Sequence, residues 1–313
     1  MMKTKNKKTI EMASANSTID DSKIRSYYEY LVNIITLEFF KSNHKKVAIL
    51  RLEGVIGKGT SRTSSGLSLD SLNTMIEKCF NISKLDAVIL AINSPGGSPV
   101  QSELIASRII NLSKDKKIPV YSFIEDVGAS GGYWLACAGN EIYASKSSII
   151  GSIGVVSRGF GFASTIEKLG IERRVHTAGK NKSVLDPFMP EKKSDIDIIK
   201  KIQLLIHEHF IDYVKTRRAG RLTQDDEIIF TGEFWSGEIA KDFGLIDGID
   251  DIYSFIKRKF GDKTKIEHIA PKESWFKKKF GLSVIPEEIA KATKNEIINM
   301  IEEVDISSKY NLK

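Results

Sequence analysis

From residue 46 onward the chain alternates two kinds of hydrophobic run. Short, nearly continuous apolar stretches at 47–52, 87–92 and 120–124 have the length and β-branched content of buried strands. Between them apolar positions recur at helical spacing: Leu69, Leu72, Met75, Ile76 and Cys79 within 67–80, then a stretch that opens at Ser98 and Pro99 and runs to about Leu112. Strands and helices alternating at such short spacing predict βαβ units around a largely parallel sheet. Further on, the pattern predicts a helix over 133–138, strands over 141–144 and 173–177, and a helix over 162–169. A long amphipathic helix over 192–218 carries Ile196, Ile199, Ile202, Leu205, Ile206, Phe210 and Val214. Residues 231–247 read as a turn, a short helix and a last strand.

The two ends differ from this core. Residues 1–22 form a basic, polar leader without the apolar segment of a secretory signal, and are predicted to be disordered. Residues 23–44 carry an aromatic-rich helical pattern interrupted by Glu29 and Glu38, short of the ~20 apolar residues that span a bilayer. That pattern predicts an amphipathic helix for contact with another subunit or a membrane surface. The core domain is placed at 45–260, followed by a basic extension at 261–313 with a helix over 287–303. A chain of 313 residues that is 41% hydrophobic and 28% charged can bury a substantial core. The net charge of +7 comes from lysines spread along the whole sequence, which predicts solvated faces and no nucleic-acid partner. Cys79 and Cys137 are isolated in apolar surroundings and lack metal-ligand spacing, so they read as buried free thiols, with no metal site.

Two glycine-rich stretches fall at the predicted carboxyl ends of strands, where open α/β sheets place their sites: 93–98 and 126–134. Ser130 stands among Gly128, Ala129, Gly131 and Gly132 at the entrance of a helix, which would expose its hydroxyl and the next N–H. A serine there serves as a nucleophile or, more plainly, as a helix cap. Gly96 and Gly97 allow a backbone to approach closely and offer N–H groups beside that of Gly131. Neither stretch has the pattern of a phosphate loop. A nucleophilic serine needs a base. His207 and His209 are two apart on a helix and so face different ways. His176 or His268 with Asp247 could complete a Ser-His-Asp set, although Glu125 to Val127 separate Ser130 from the predicted strand, unlike a tight strand-to-helix elbow. Lysine suits better. A lysine acts as a base only when neutral, so its pKa of about 10.4 has to be lowered by burial. Lys180 and Lys182 lie among small and polar residues at 178–183, and in an extended segment both would point the same way.

The strings NSPGG at 93–97, GASGGYW at 128–134, GSIGV at 151–155, GKNK at 179–182 and TGEFWSGEIAKDFGLID at 231–247 occur in this order. Together they resemble the signal peptide peptidase A and SohB family of serine peptidases. The resemblance implies a crotonase-like, Clp-protease-like α/β fold with a repeated ββα core, a largely parallel sheet and flanking helices. It implies a Ser-Lys dyad without cofactor or metal: Ser130 as nucleophile, Lys182 as base with Lys180 its competitor, and Ser152 hydrogen-bonded to the lysine amine. Gly97 and Gly131 would form the oxyanion hole, with Gly96 as the alternative. By the same resemblance the substrates are signal or membrane-derived peptides, and short members build homo-oligomeric rings whose sites take serine and lysine from neighbouring subunits. Members usually carry an N-terminal membrane segment. The polar leader and interrupted helix here point to the bacterial cytoplasm or the periphery of the inner membrane, while the resemblance keeps the periplasmic side open. The basic aromatic stretch 272–280 offers a peripheral membrane contact or a solvated tail. Two other readings stand: an acyl-CoA lyase or hydratase on the same fold with Glu125 or Asp126 as acidic base, and a non-catalytic scaffold.

Overall fold

The computed structural model describes residues 44–57 and 66–269, together with Ser26. The predicted leader, nearly all of the 23–44 helix, the 272–280 stretch and the 287–303 helix lie outside the described residues.

The three apolar runs are the centre of an eight-stranded sheet. Strands β1 (Lys46–Glu53), β2 (Ala87–Ser94) and β3 (Val120–Ala129) pair in parallel, β2 in the middle. Helices α1 (Leu69–Phe80) and α2 (Pro99–Lys116) make the crossovers. Side chains of a strand alternate between faces, and here both faces are covered, which is why these runs are apolar but for Arg51 and Ser122. Ala48, Leu50, Leu52, Val88, Leu90 and Ile92 pack toward α1 and α2. Val47, Ile49, Ala87, Ile89, Ala91 and Phe123 pack under Phe255 and Ile256 of helix α8 (Ile252–Phe260). Beyond β3 come the six-residue helix α3 (Gly131–Ala136), strands β4 (Glu141–Ala144) and β5 (Ile149–Gly151), helix α4 (Ala163–Lys168) and helix α5 (Lys193–Arg217). Short elements follow: α6 (Asp226–Ile229), β6 (Phe234–Ser236), α7 (Gly237–Asp242) and β7 (Gly248–Ile249). Strand β8 (Lys265–Ile269) pairs in parallel with β1, so the sheet continues past residue 260. All pairings are parallel except β5 with β6, as the alternating pattern predicts.

β3 is longer than its apolar run, and the reason is a change of partner. Residues 121–124 pair with β4 and residues 127–129 with β5. Against β2 the register moves from Ile92↔Ile124 to Ser94↔Gly128, which leaves two extra residues on β3. The carbonyls of Ile124 and Glu125 at this bulge accept from the hydroxyl of buried Ser148. Arg51 grips Glu125 with two bonds of 2.6 and 2.8 Å, and Asn93 donates to Asp126 at 2.8 Å. Two acidic residues therefore mark a bulge here, and the strand continues beyond them to Ala129.

Two other expectations are corrected. Residues 171–177 form no strand: Arg173 turns to Asp186, Arg174 to Glu172, and no strand among the described residues takes up their backbone groups. The apolar stripe of α5 is buried only at Phe210 and Val214, while Ile202 is 49% and Leu205 48% exposed. The C-terminal end of α5 is the anchored one. Phe210 and Tyr213 stack on Trp134 of α3 at 4.6 and 5.0 Å. Arg217 donates to the carbonyls of Cys137, Ala138 and Gly139 just past the end of α3. Arg218, 1% exposed, donates to the Gly244 carbonyl and pairs with Asp247 at 2.7 Å. Both cysteines are free and buried, as expected, and burial pushes the Cys79 thiol up to about 12 and Cys137 to about 11.

Arg218→Met leaves the Asp247 carboxylate and the Gly244 carbonyl without their buried partner. The expected loss is about 3–5 kcal/mol of unfolding free energy, read by urea denaturation. A loss under about 1 kcal/mol would show the pair to be peripheral to stability.

Candidate active site

Ser130 is the single residue between β3 and α3, and its backbone is bent to make that junction. Its φ of 51° and ψ of −123° are neither helical nor extended, a combination that costs on the order of 1–3 kcal/mol when surroundings impose it. The surroundings do: the Ser130 N–H donates to the Gly151 carbonyl at 2.8 Å, and its carbonyl accepts from Tyr133 and Trp134 at 2.9 and 3.0 Å. The hydroxyl makes no capping bond to the helix it opens. The plainer reading as a helix cap therefore fails. So does the supposed gap after the strand, since β3 runs to Ala129 and leaves a tight elbow.

The other glycine-rich stretch lies against this elbow. A Cβ at Gly96 would come within 2.8 Å of the Ser130 Cβ and 2.7 Å of the Gly131 nitrogen. One at Gly132 would come within 2.2 Å of the Ser94 carbonyl oxygen. Backbone approach this close admits only glycine. The two candidate donors on this turn differ. The Gly96 N–H is engaged by the Ser94 hydroxyl at 3.2 Å, and the Gly96 carbonyl by the Ile56 N–H at 2.8 Å. The Gly97 and Gly131 amides donate to no backbone carbonyl among the described residues. Ser152 is brought to the same place, because Gly151 pairs with Ala129 at the end of β5. Its N–H donates to the Glu233 carbonyl at 2.7 Å, and a Cβ at Gly151 would come within 2.8 Å of the Trp235 ring. His207 Nε2 lies 2.9 Å from the Ile153 carbonyl oxygen and ties α5 to the same loop.

Ser130, Ser152, Gly96, Gly97 and Gly131 thus converge, whereas neither Lys180 nor Lys182 hydrogen-bonds to any of them. Residues 180–185 form turns and not an extended segment, so alternation does not place Lys180 and Lys182 on one side. Both are exposed, and among the described residues neither side chain makes a hydrogen bond or ion pair. They belong to an arm over 155–192 whose helix α4 buries no residue. The histidine alternatives fare worse. Asp247 is committed to Arg218, Arg221 and the Ile142 N–H. Register relates His268 to Ile49, Ile89 and Tyr121 in turn, so at about 3.3 Å per residue it lies roughly 25 Å below the level of Ser130. His176 is exposed on the arm. Glu125 and Asp126, the acidic candidates, are held by Arg51 and Asn93.

Sequence reasoning passed over Ser94, Ser148, Glu233 and Trp235. Ser94 had a signal, as a serine at the end of an otherwise apolar strand; the others are legible only from their partners. Chemically, a hydroxyl at a strained elbow beside two undirected amides can attack a carbonyl carbon and hold the resulting oxyanion.

A family model described as peptidase family S49 matches residues 112–279. A Brucella melitensis protein named Na(+)/H(+) antiporter NhaA is 43% identical over 310 residues, 97% of this chain and 42% of that protein. An Enterococcus faecium protein with the provisional name signal peptide peptidase SppA is 29% identical over 241 residues, 74% of this chain and 69% of its own. The chloroplastic serine protease SPPA of Arabidopsis thaliana is 32% identical over 207 residues, 65% of this chain and 30% of its own. The chain therefore spans less than half the length of the Brucella and Arabidopsis relatives.

The strain at Ser130 predicts an inverted order of stability. Ser130→Gly and Ser130→Ala both remove the hydroxyl, but glycine alone accepts a φ of 51° freely, so the glycine variant is expected to be the more stable by about 1 kcal/mol. Thermal denaturation of the pair reads this directly, and an alanine variant of equal or greater stability would show the elbow to be unstrained.

Proposed function

The chain belongs to peptidase family S49, and on that premise we propose that it is a serine endopeptidase with Ser130 as nucleophile and Lys182 as general base. The observation that carries the reading is the Ser130 hydroxyl, unused by its own helix and set beside the amides of Gly97 and Gly131. As Ser130 Oγ bonds to the scissile carbonyl carbon, its proton passes to the Lys182 amine. The carbonyl oxygen takes up the electron pair and accepts from the Gly97 and Gly131 N–H groups. Collapse breaks the C–N bond and the departing amine takes the proton from Lys182, leaving an acyl-serine. Water then attacks the acyl carbon by the same route and releases the carboxyl product. Ser152, beside the elbow, would hold the lysine amine.

The name of the Enterococcus relative favours signal peptides as substrates. Among the described residues no helix is long and apolar enough to cross a membrane. The antiporter name of the Brucella relative gives no second reading, because the shared segment is less than half of that protein and contains the peptidase match.

Lys182 would reach a serine from a neighbouring copy. Two features support this: the lysines stand on an unburied arm, and that arm presents Val156, Phe160, Leu169 and Ile171 at 56–81% exposure, while α5 also exposes Leu204 and Leu205. An apolar surface of this kind calls for a cover, and a second copy of the chain supplies one together with the base.

Ser130→Ala and Lys182→Met should each lower peptide hydrolysis by about 10³-fold or more while Lys180→Met is mild. Lys182→Arg should not rescue, since a guanidinium stays charged and cannot accept the proton. Mixing the two inactive variants should restore about a quarter of wild-type activity, because random assembly places an intact serine against an intact lysine at that frequency. A mixture that stays silent would place both groups in one chain, loss with Lys180→Met alone would move the base by two residues, and hydrolysis by pure Ser130→Ala protein would end the assignment.

A further inference from the structure

The Gly97 amide serves an oxyanion only while the Gly96–Gly97 peptide presents its N–H side toward Ser130. Glycines flank that peptide, with φ of +99° and +147°, and neither has a side chain to hold it. The preceding Pro95 has no N–H to contribute. We propose that Ser94 is the positioning residue that keeps this peptide in its productive orientation; the inference rests on the peptidase reading above and deepens it.

Ser94 closes β2 and is fully buried. Its hydroxyl donates to the Gly54 carbonyl at 2.7 Å and accepts from the Gly96 N–H at 3.2 Å. Gly54 is itself fixed, since its N–H donates to the Asn93 carbonyl at 2.9 Å. The hydroxyl therefore ties the exit of β1 to the first amide of the turn. On the far side of Gly96 the carbonyl accepts from the Ile56 N–H at 2.8 Å. A trans peptide is planar, so with its carbonyl on Ile56 the Gly97 N–H must point the opposite way. The next residue is locked as well, because the Ser98 N–H donates back to the Ile56 carbonyl at 2.8 Å. Without the Ser94 hydroxyl the Gly96 N–H is buried and unpaired and the chain from Gly54 to Ile56 loses its tie to β2; once that shift breaks the Ile56 bond, a half-turn of the following peptide would aim the Gly96 oxygen where the oxyanion forms. The Ser94 carbonyl also rests against Gly132, where a Cβ would approach to 2.2 Å, so one residue sets the spacing between the turn and the helix that carries Gly131. Ser94 touches no reacting atom in this scheme. It acts through Gly97.

The test uses the full chain with Ser94→Ala and Ser94→Cys, and Ser122→Ala as the comparator. Ser122 is as deeply buried, yet its hydroxyl has no partner among the described residues. Four quantities are measured: kcat and KM on a chromogenic peptide, Ki for a peptide aldehyde, and the unfolding temperature. An aldehyde adds reversibly to the serine oxygen, and the resulting hemiacetal oxygen needs the same two amides. Ser94→Ala is expected to lower kcat by about 10- to 100-fold and raise Ki by the same factor, with KM within about twofold of wild type. Ser94→Cys, which keeps a weaker acceptor, should fall between, and Ser122→Ala should match wild type in all three constants. Wild-type kcat and Ki in a folded Ser94→Ala protein would overturn the proposal, as would a rise in KM alone. If the alanine variant does not fold, the cysteine variant decides: a matched fall in kcat and rise in Ki supports the role, and wild-type values remove it. A wild-type protein that neither hydrolyses peptide nor binds the aldehyde would sink the peptidase reading, and Ser94's role with it, a result distinct from failure of the Ser94 variants alone.

Discussion

Two backbones touch with no side chain between them where the end of β2 meets the start of α3, and the rest of the architecture serves that contact. Gly96 lies against Ser130 and Gly131, and Gly132 against the carbonyl of Ser94. Contact at this range aligns amides from two strands' carboxyl ends, something side chains on flexible stems do less rigidly. It also dictates sequence. A methyl group at Gly96, Gly97 or Gly132 meets backbone that cannot yield, so glycine at those positions follows from geometry before any chemistry is considered. The strain at Ser130 is sustained by the same crowding, with its N–H donating to the Gly151 carbonyl on one side and its carbonyl accepting from the Tyr133 and Trp134 N–H groups of α3 on the other.

Bracing is unequal across the molecule. The nucleophile side is held from several directions: Ser148 satisfies the bulge of β3, Trp134 stacks on α5, and Arg217 caps the far end of α3. The lysine side has none of this, for the arm over 155–192 buries little of itself. An enzyme that needed both groups fixed in one chain would be poorly served by that asymmetry. A proposed assembly in which each copy supplies a rigid serine to one site and an arm to another turns it into a condition for activity, with catalysis dependent on subunit contact.

Much of the core was legible because both faces of the central strands are covered, which makes the runs at 47–52 and 87–92 apolar but for Arg51. β3 was harder. Glu125 and Asp126 look like the end of a strand, whereas they mark a bulge where β3 changes partner, and no local pattern encodes the arrival of β5. The segment at 173–177 misled for the opposite reason: it reads as a strand but finds no edge to pair with among the described residues. At the candidate site the strings located Ser130 and the glycines. The distinction between Gly96 and Gly97 was invisible until Ser94 was seen to take the Gly96 N–H. Between Lys180 and Lys182 a turn replaces the extended segment, so the choice still rests on the string they share with the family.

The central claim, that the Ser130 hydroxyl at the β3–α3 elbow is an activated nucleophile, is tested most directly by covalent capture. The wild-type protein is treated with a fluorophosphonate and digested, and the phosphonylated peptide is located by mass spectrometry. The account predicts a single adduct, on Ser130, since no other serine among the described residues combines a strained elbow with two undirected amides. An adduct on a different serine, or none under conditions in which a known serine peptidase is fully labelled, would contradict it.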